Sequence, residues 1–322
     1  MNTQQYKIGI VGLGPVGMIM AVHLKQAGCN VSICDLNKGK TELIKKEGIR
    51  LTGEVQKHSH FDTIFNSFDE MLDTEIDLMI SCVKTFRIDK IVSSIKKKKS
   101  NFYLLALQNG IDVGQKYTEC LDESTIMRMI VNFAGNFVST NEVKVTFANL
   151  PHYIASIDDT CDDVAKWIAD ILTFTDQNTE VLDSFTLIDE VWKKTILISS
   201  ISPLCGISKL TIKEALQSSD TIEVIEQTLL ESMQVAKAEG LRFDDNFVKL
   251  CLRNLKNAGD HFPSLGYDIL QGEETEIDYN NGKIVEYGRK HYIQTPLNLT
   301  FTNLVNAVSN KNLGKINTNS RF

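Results

Sequence analysis

Short apolar runs and amphipathic segments alternate along the first third of the chain. The apolar runs predict strands at residues 7–11, 30–34, 76–83 and 102–107. Between them, apolar positions at helical spacing predict helices at residues 18–27, 39–47, 68–72 and 88–99. Continuous apolar strands separated by helices are typical of a parallel sheet covered on both faces.

The pattern changes in the middle of the chain. Strand-like runs occupy residues 127–138, 144–157 and 179–184, with one helix at 161–172. Beyond them only helical spacing remains, and it predicts helices at residues 188–202, 209–217, 221–239, 244–258, 275–294 and 297–309. We expect Pro203 to end the first of these, and the polar tail at 310–322 to fray.

These elements predict an α/β fold with two domains. An N-terminal Rossmann-type parallel-sheet domain at 1–184 is expected to be followed by an all-helical C-terminal domain at 185–322. The length of 322 residues fits this division, because one domain usually takes about 150 residues.

Charge and targeting signals narrow the class of protein. The chain has 34 Lys and Arg against 41 Asp and Glu, a net charge of −7. An acidic surface argues against a nucleic acid or an anionic membrane as the main partner. Neither a signal-peptide pattern nor an apolar run of about 18 residues occurs, so we expect a cytoplasmic protein without a membrane span.

Cysteine and histidine positions give no metal or disulfide pattern. The seven cysteines are odd in number and none forms a C-x-x-C pair, which favours reduced thiols. His58 and His60 form an isolated H-x-H without a nearby cysteine. We expect them to lie in a polar loop, and we expect no metal site.

A glycine-rich segment lies between the first strand and the first helix. Its residues are Gly12, Leu13, Gly14, Pro15, Val16 and Gly17. In a G-x-G-x-x-G loop the first glycine makes the turn, the second admits a pyrophosphate, and the third packs helix against strand. The free N–H groups of the helix then face the phosphates. The position predicts a dinucleotide site, although a tight turn without a ligand is the alternative.

Asp35 follows the second strand, 18 residues after Gly17, where a carboxylate can bind the adenosine ribose. Its charge would repel the 2′-phosphate of NADP, so Asp35 favours NAD, while Lys38 and Lys40 nearby partly offset this preference. A turn or helix-capping role for Asp35 remains open.

Two further segments follow buried strands. Val83 and Lys84 end one strand, and Gln108, Asn109 and Gly110 end the next. Ligands of open α/β sheets bind at the carboxyl ends of strands, so these residues are candidates for contacts to cofactor and substrate. A solvated lysine and a plain Gln-Asn-Gly turn are equally compatible with the pattern.

The predicted helical domain opens with a lysine pair. Lys194, Ile198 and Ser202 share one helix face, and a lysine there could give a proton or a positive charge to a carbonyl oxygen. Spacing alone admits Lys193 as well, and both could be solvated. Farther on, Ser264 precedes an acidic segment at 275–282, which could be a polar site or an acidic helix start.

Taken in order, these motifs resemble the ketopantoate reductase family. The motifs that carry the resemblance are GLGPVG at 12–17, VK at 83–84, QNG at 108–110, WKK at 192–194, SP at 202–203, Ser264, EIDYNNG at 276–282 and TP at 295–296. The resemblance implies a Rossmann domain, a helical domain and catalysis between them. It also implies reduction of a branched 2-oxo acid on the route to pantothenate and coenzyme A, by either a monomer or a homodimer.

The resemblance further implies roles for individual residues. Lys194 matches the catalytic lysine, Asn109 the asparagine that contacts nicotinamide and substrate, and Ser264 the serine that binds the substrate carboxylate. Glu276 matches the glutamate that touches the cofactor ribose and orders the catalytic lysine. Lys84 matches a lysine near the cofactor, beside Val83 and Gln108.

The sequence departs from the family at four positions. Ile198 and Ser202 replace asparagines on the lysine face, and His261 replaces an asparagine that often precedes the serine. Each lost hydrogen-bond partner would weaken substrate binding by roughly 1–3 kcal/mol. Asp35 stands where the family usually has a basic residue that selects NADPH.

We therefore expect an NAD(P)H-dependent reductase that acts on a small 2-oxo acid, with reduction of ketopantoate to pantoate as the first hypothesis. Two alternatives remain open. One is a reductase of the same family acting on a more apolar keto or imino acid. The other is a dinucleotide-binding sensor without turnover.

Overall fold

The computed structural model describes residues 3–315, which divide into two compact units. The first, which we call the sheet unit, comprises residues 3–108 and 112–188. The second, the helical unit, comprises residues 109–111 and 189–315. The three residues 109–111 thus group with the helical unit although they follow a strand of the sheet unit.

The sheet unit contains a large, mostly parallel sheet. The strands of the unit are β1 (Lys7–Val11), β2 (Asn30–Cys34), β3 (Ile49–Gly53), β4 (Lys57–Ser59), β5 (Thr63–Phe65), β6 (Leu78–Ser81), β7 (Tyr103–Ala106), β8 (Ile126–Ile130), β9 (Phe133–Ser139), β10 (Glu142–Ala148), β11 (His152–Ser156) and β12 (Thr179–Val181). Eight of them form one sheet in the order β12-β11-β8-β7-β6-β1-β2-β5. Only the β8–β11 pair is antiparallel in it. The strand order reverses at β1, where ligands of such sheets bind.

Six helices connect the strands of the sheet unit. They are α1 (Pro15–Gln26), α2 (Lys38–Glu47), α3 (Phe68–Met71), α4 (Ile88–Lys98), α5 (Val113–Lys116) and α6 (Asp162–Phe174). Helix α1 is buried from Gly17 to Leu24, because it packs in the core of the unit together with α6. The expectation of a Rossmann-type sheet domain is confirmed.

A second, smaller sheet was not predicted. It has the order β4-β3-β10-β9, and β3 pairs with β10, which follows much later in the chain. Strands β3 to β5 are short, and their charged and polar residues obscure the strand pattern.

The expectation that His58 lies in a loop was wrong: His58 belongs to β4, and its Nε2 lies 2.7 Å from the carbonyl of Glu47.

The helical unit continues the chain as α-helices and short turns. The helices are α7 (Ser184–Ser208), α8 (Ile212–Ala215), α9 (Ser219–Ala238), α10 (Phe247–Ala258), α11 (Ser264–Gln271), α12 (Asn281–Lys290) and α13 (Pro296–Asn312). The first residues of α7, up to Ile188, belong to the sheet unit. The expectation of a helical C-terminal part is confirmed.

Helix α7 does not end at Pro203, contrary to the sequence prediction. Proline has no N–H, so the carbonyl of Ser199, four residues earlier, loses its helical partner. The side-chain Nδ2 of Asn281 donates to that carbonyl at 3.0 Å. Since a distant residue donates to this buried carbonyl, the helix runs through the proline to Ser208.

Two other helix predictions need correction, and one helix was missed. The helix expected at 209–217 is shorter in the structure, where only α8 is helical. Lys209 has a positive φ of 61°, and the capping box of Thr211 and Glu214 starts α8 after Thr211. The helix expected at 275–294 is divided, because Asn280 adopts a non-helical backbone between the 3₁₀ turn Ile277–Tyr279 and α12. Helix α11 was not predicted.

At the C-terminus, α13 extends to Asn312, so the first residues of the tail expected to fray are helical, and residues 316–322 of that tail lie outside the described residues. Across residues 3–315, no helix combines the length and the apolar character that crossing a bilayer requires. Within the same range, His, Cys, Asp and Glu side chains form no cluster of three or more that could hold a metal ion.

Candidate functional site

The glycine loop is shaped by close backbone contacts that leave no room for a side chain. Gly12 has a φ of 92°, and its N–H donates to the carbonyl of Cys34 at 2.9 Å. A Cβ on Gly12 would lie 2.8 Å from the amide nitrogen of Val83, and one on Gly17 would lie 2.0 Å from the Gly12 carbonyl oxygen. Glycine at 12 and 17 is therefore needed for β1, β6 and α1 to meet.

Gly14 differs from these two glycines. A Cβ at Gly14 would meet no protein atom within 4 Å, so the backbone there borders open space. Gly14 is the N-cap of α1, Pro15 opens the helix, and no side chain caps it. An uncapped helix start beside open backbone fits a pyrophosphate, since the first N–H groups can donate to its oxygens.

Asp35 fastens the glycine loop to the end of β2. Its Oδ2 accepts from the Leu13 N–H at 3.0 Å, and its Oδ1 accepts from the Asn37 N–H at 2.9 Å. Lys40 lies on the same carboxylate, with Nζ 3.4 Å from Oδ2. Asn37, not Asp35, caps α2, because its side chain accepts from the Lys40 N–H.

The ends of β6 and β7 are joined by buried polar side chains. The Nε2 of Gln108 donates to Ser81 Oγ at 2.8 Å and to Tyr117 Oη at 3.1 Å, and the two hydroxyl oxygens lie 2.7 Å apart. Gln108 was expected to contact cofactor, but its amide nitrogen is directed into this network. Lys84 lies in the segment after β6 and directly precedes the 3₁₀ turn Thr85–Arg87.

Arg128 is a buried cation that sequence reasoning missed. It lies on β8, and its Nη2 donates to the Gln108 carbonyl at 3.3 Å. Burial lowers the pKa of Arg128 to about 10, and the nearby Asp112 opposes that shift. Its sequence signal was a single charge in the otherwise apolar run of β8, and such a residue inside a strand predicts a buried polar partner.

Residues 109–111 and the acidic segment come together in the helical unit. The N–H of Ile111 donates to the carbonyl of Tyr279 at 3.1 Å. Gly110 has a φ of 109°, and a Cβ there would lie 2.6 Å from the Tyr279 carbonyl oxygen. This contact places the backbone that follows Asn109 against the 3₁₀ turn that follows Glu276.

The two lysines of α7 have different surroundings. Lys193 forms an ion pair with Glu190, with its Nζ 2.7 Å from Oε1. Lys194 and Ile198 are half-buried, and Ser202, on the same face, is buried. Asn281 joins α12 to this helix through the Ser199 carbonyl and also donates to Asn298 Oδ1 at 3.0 Å. The structure thus connects the EIDYNNG segment to α7.

Ser264 is the first residue of α11 and is exposed. Helix α11 packs on the end of α7, since a Cβ on Gly206 would lie 3.2 Å from the Cα of Gly266 and 2.7 Å from Ile269. His261 lies just before α11, and its carbonyl accepts from the Ile212 N–H at 2.9 Å. Burial lowers the pKa of His261, which favours its neutral form.

Comparison with known families gives matches in both parts of the chain. The profile described as "Ketopantoate reductase PanE/ApbA" matches residues 8–158. The profile described as "Ketopantoate reductase PanE/ApbA C terminal" matches residues 186–309. A 2-dehydropantoate 2-reductase of Pyrococcus horikoshii is 27% identical over 308 residues, which cover 94% of this chain and 97% of the relative.

Solved structures share the fold. D-mandelate dehydrogenase, in a ternary structure with NADH and anilino(oxo)acetate, aligns with a TM-score of 0.84 at 22% identity, covering 95% of this chain and 99% of the other. A PanE/ApbA family ketopantoate reductase from Ralstonia eutropha JMP134 gives the same TM-score of 0.84 at 22% identity, with coverage of 95% and 99%. At this identity the two structures establish the architecture alone.

Proposed function

This chain belongs to the ketopantoate reductase family of oxidoreductases, and we propose that it reduces ketopantoate to pantoate with NADH or NADPH. The proposal is carried by the hydrogen bond from Ile111 to Tyr279. That contact joins residues 109–111 to the EIDYNNG segment within the unit that also contains Lys194. As part of the proposal, residues 1–184 bind the dinucleotide and residues 185–322 bind the acid.

The sheet unit has the features needed to hold a dinucleotide. The loop from Gly12 to Gly17, with open backbone at Gly14, would bind the pyrophosphate, and Asp35 would face the ribose. Val83, Lys84 and Glu276 are the further candidates for cofactor contacts, as their motifs imply. When bound, the reduced nicotinamide would supply a hydride to the 2-carbonyl carbon.

Lys194 would act on the carbonyl oxygen. Its ammonium group would stabilise the negative charge that develops on this oxygen and would then transfer a proton to it, which yields the 2-hydroxy acid. The WKK motif at 192–194 matches Lys194 to the catalytic lysine of the family, whereas Lys193 forms an ion pair with Glu190. On this match we assign the acid role to Lys194.

Other polar groups of the helical unit would orient the acid. Ser264 would donate its hydroxyl to the substrate carboxylate, and Asn109 would hold substrate and nicotinamide in a reactive arrangement. Ser202 and His261 would add hydrogen bonds where the family has asparagines. Since Ser264 is exposed at the start of α11, its hydroxyl is accessible to a ligand.

A second candidate substrate is a 2-oxo acid with a more apolar side chain. Ile198 is half-buried on the face of Lys194 and offers methyl groups where the family offers an amide. D-mandelate dehydrogenase, which shares the fold with a TM-score of 0.84, is named for an aromatic 2-hydroxy acid. Both observations favour an aliphatic or aromatic 2-oxo acid as the alternative substrate.

Steady-state kinetics with several 2-oxo acids tests both candidates. The purified protein is mixed with NADH or NADPH and with ketopantoate, phenylglyoxylate or pyruvate, and the loss of reduced-nicotinamide absorbance is measured. We expect ketopantoate to give the highest kcat/KM, and Ile198→Asn to raise it by about tenfold, the effect of one regained hydrogen bond. Higher kcat/KM for phenylglyoxylate would support the second candidate. Tight cofactor binding without turnover of any acid would contradict both and favour a sensor.

A further inference from the structure

We propose that Lys40 makes the ribose site of this protein accept a 2′-phosphate, so that NADPH binds about as well as NADH despite Asp35. The inference rests on the proposed dinucleotide site of the sheet unit and goes beyond it by assigning its selectivity. It concerns three side chains from separate parts of the unit: Asp35 after β2, Lys40 on α2 and Phe137 on β9.

The ammonium group of Lys40 is held in place by three contacts. Its Nζ donates to the Leu13 carbonyl at 3.0 Å and lies 3.4 Å from Asp35 Oδ2. It also lies 5.0 Å from the centroid of the Phe137 ring, within the range of a cation–π contact. The Lys40 side chain is only 14% exposed and that of Asp35 only 16%, so this is an ordered pair and not a solvated lysine.

Asp35 has little acceptor capacity left for a ribose. A carboxylate offers about four acceptor positions, two on each oxygen. Oδ2 accepts from Leu13 and Lys40, and Oδ1 accepts from Asn37. Selection of NAD by a carboxylate depends on hydrogen bonds to the ribose hydroxyls. Asp35 retains a position for one hydroxyl, on Oδ1, which weakens that selection.

Charge also argues against exclusion of NADP. A 2′-phosphate carries roughly −1.5 to −2 charges, and an isolated aspartate would repel it. Here the positive charge of Lys40 lies within 3.4 Å of the carboxylate, so the pair as a whole is neutral. An ammonium group has three donors, and the two used for Leu13 and Asp35 leave one for a phosphate oxygen.

Phe137 makes the position of Lys40 depend on the second sheet. Phe137 is 47% exposed and lies on β9, next to β10 in the smaller sheet. Without the ring, Lys40 would still reach the carboxylate but would gain freedom to move into solvent. Phe137 is therefore a positioning residue for the cation, and we expect its effect to be smaller than that of Lys40 itself.

Two nucleotides without a nicotinamide group test the inference apart from catalysis. Isothermal titration calorimetry on the full-length protein gives the Kd of 5′-AMP and of 2′,5′-ADP, which differ only by the 2′-phosphate. For the wild type we expect the two Kd values to agree within about tenfold. Lys40→Met should weaken 2′,5′-ADP by more than about tenfold relative to 5′-AMP, because a charge next to the phosphate is lost. Phe137→Leu should weaken it by about two- to fivefold.

Lys45→Met is the matched control, since Lys45 is an exposed lysine of the same helix and its loss changes the net charge equally. It should leave both Kd values unchanged, and thermal unfolding of each variant checks the fold. A wild-type preference for 5′-AMP over 2′,5′-ADP beyond about tenfold overturns the inference. An unchanged ratio of Kd values in folded Lys40→Met overturns it as well. If neither nucleotide nor NADH nor NADPH binds, the proposed dinucleotide site itself is wrong.

Discussion

The two units of this protein build their candidate sites in different ways. In the sheet unit the candidate site is mainly backbone: the turn at Gly12, the open peptide at Gly14 and the helix start at Pro15 come from one short segment. In the helical unit the candidates are side chains on separate elements, Lys194 on α7 and Ser264 on α11. A backbone site tolerates no added volume, whereas a side-chain site depends on charge and on the packing of helices.

The largest effect should come from removing one charge in the helical unit. We expect Lys194→Ala to lower kcat by about 10²–10⁴-fold, the usual contribution of a general acid. The Kd for NADPH, measured by fluorescence titration, should change little, because most of the proposed dinucleotide contacts lie in the sheet unit. Lys193→Ala is the matched control, since it removes the neighbouring lysine that pairs with Glu190. An equal loss of kcat in both variants would contradict the assignment to Lys194.

Acid should destabilise the sheet unit through His23, which lies on α1 with its Nδ1 3.0 Å from the Thr175 carbonyl. Burial, and secondarily Lys57, lowers the pKa of His23 to about 4 from an ordinary value of 6.5. Between pH 6.5 and 4, His23 is therefore protonated in the unfolded chain but not in the folded chain. Stability is complete above pH 6.5 and decreases as the pH falls toward 4, by about 3 kcal/mol in total.

Urea unfolding at a series of pH values through that window measures the effect. His23→Leu cannot titrate, so the pH dependence of its unfolding free energy should be flatter than that of the wild type. The same slope in both proteins would show that another group causes the acid sensitivity.

Two alanine substitutions in the glycine loop separate a clash inside the protein from a clash with the proposed ligand. Gly17→Ala should cost about 3 kcal/mol in the free energy of unfolding, because its Cβ would clash with the Gly12 carbonyl. Gly14→Ala should leave stability within about 1 kcal/mol, since its Cβ would meet no protein atom. It should nevertheless weaken NADH binding, because the methyl group would occupy the space proposed for the pyrophosphate. Unaltered binding by Gly14→Ala would contradict that placement.

The smallest effect tests the helical unit. Asn281→Ala should destabilise the protein by about 2 kcal/mol, since it leaves the Ser199 carbonyl buried without a donor. In a Pro203→Ala background the restored N–H can reach that carbonyl, so the same substitution should cost less. A double-mutant cycle by urea unfolding measures the difference. Equal costs in the two backgrounds would mean that Asn281 does not compensate for the proline.

The two units also differ in how well the sequence predicted their candidate sites. The loop at 12–17 and the strands on both sides of it were predicted with nearly the observed bounds, because turn, helix start and strand depend on neighbouring residues. The lysine pair of α7 was found, but the sequence alone could not choose between Lys193 and Lys194. The choice of Lys194 rests on the WKK motif at 192–194 and stays a prediction.

The sequence by itself determined the alternation of strands and helices, the glycine loop and the helical character of the C-terminal part. These depend on periodicity and on contacts between residues close in the chain. Only the tertiary structure decided that α7 continues through Pro203, that Arg128 binds the Gln108 carbonyl, and that Phe137 lies beside Lys40. Each of these contacts joins residues far apart in sequence, and a local sequence pattern does not specify which distant residue will form the contact.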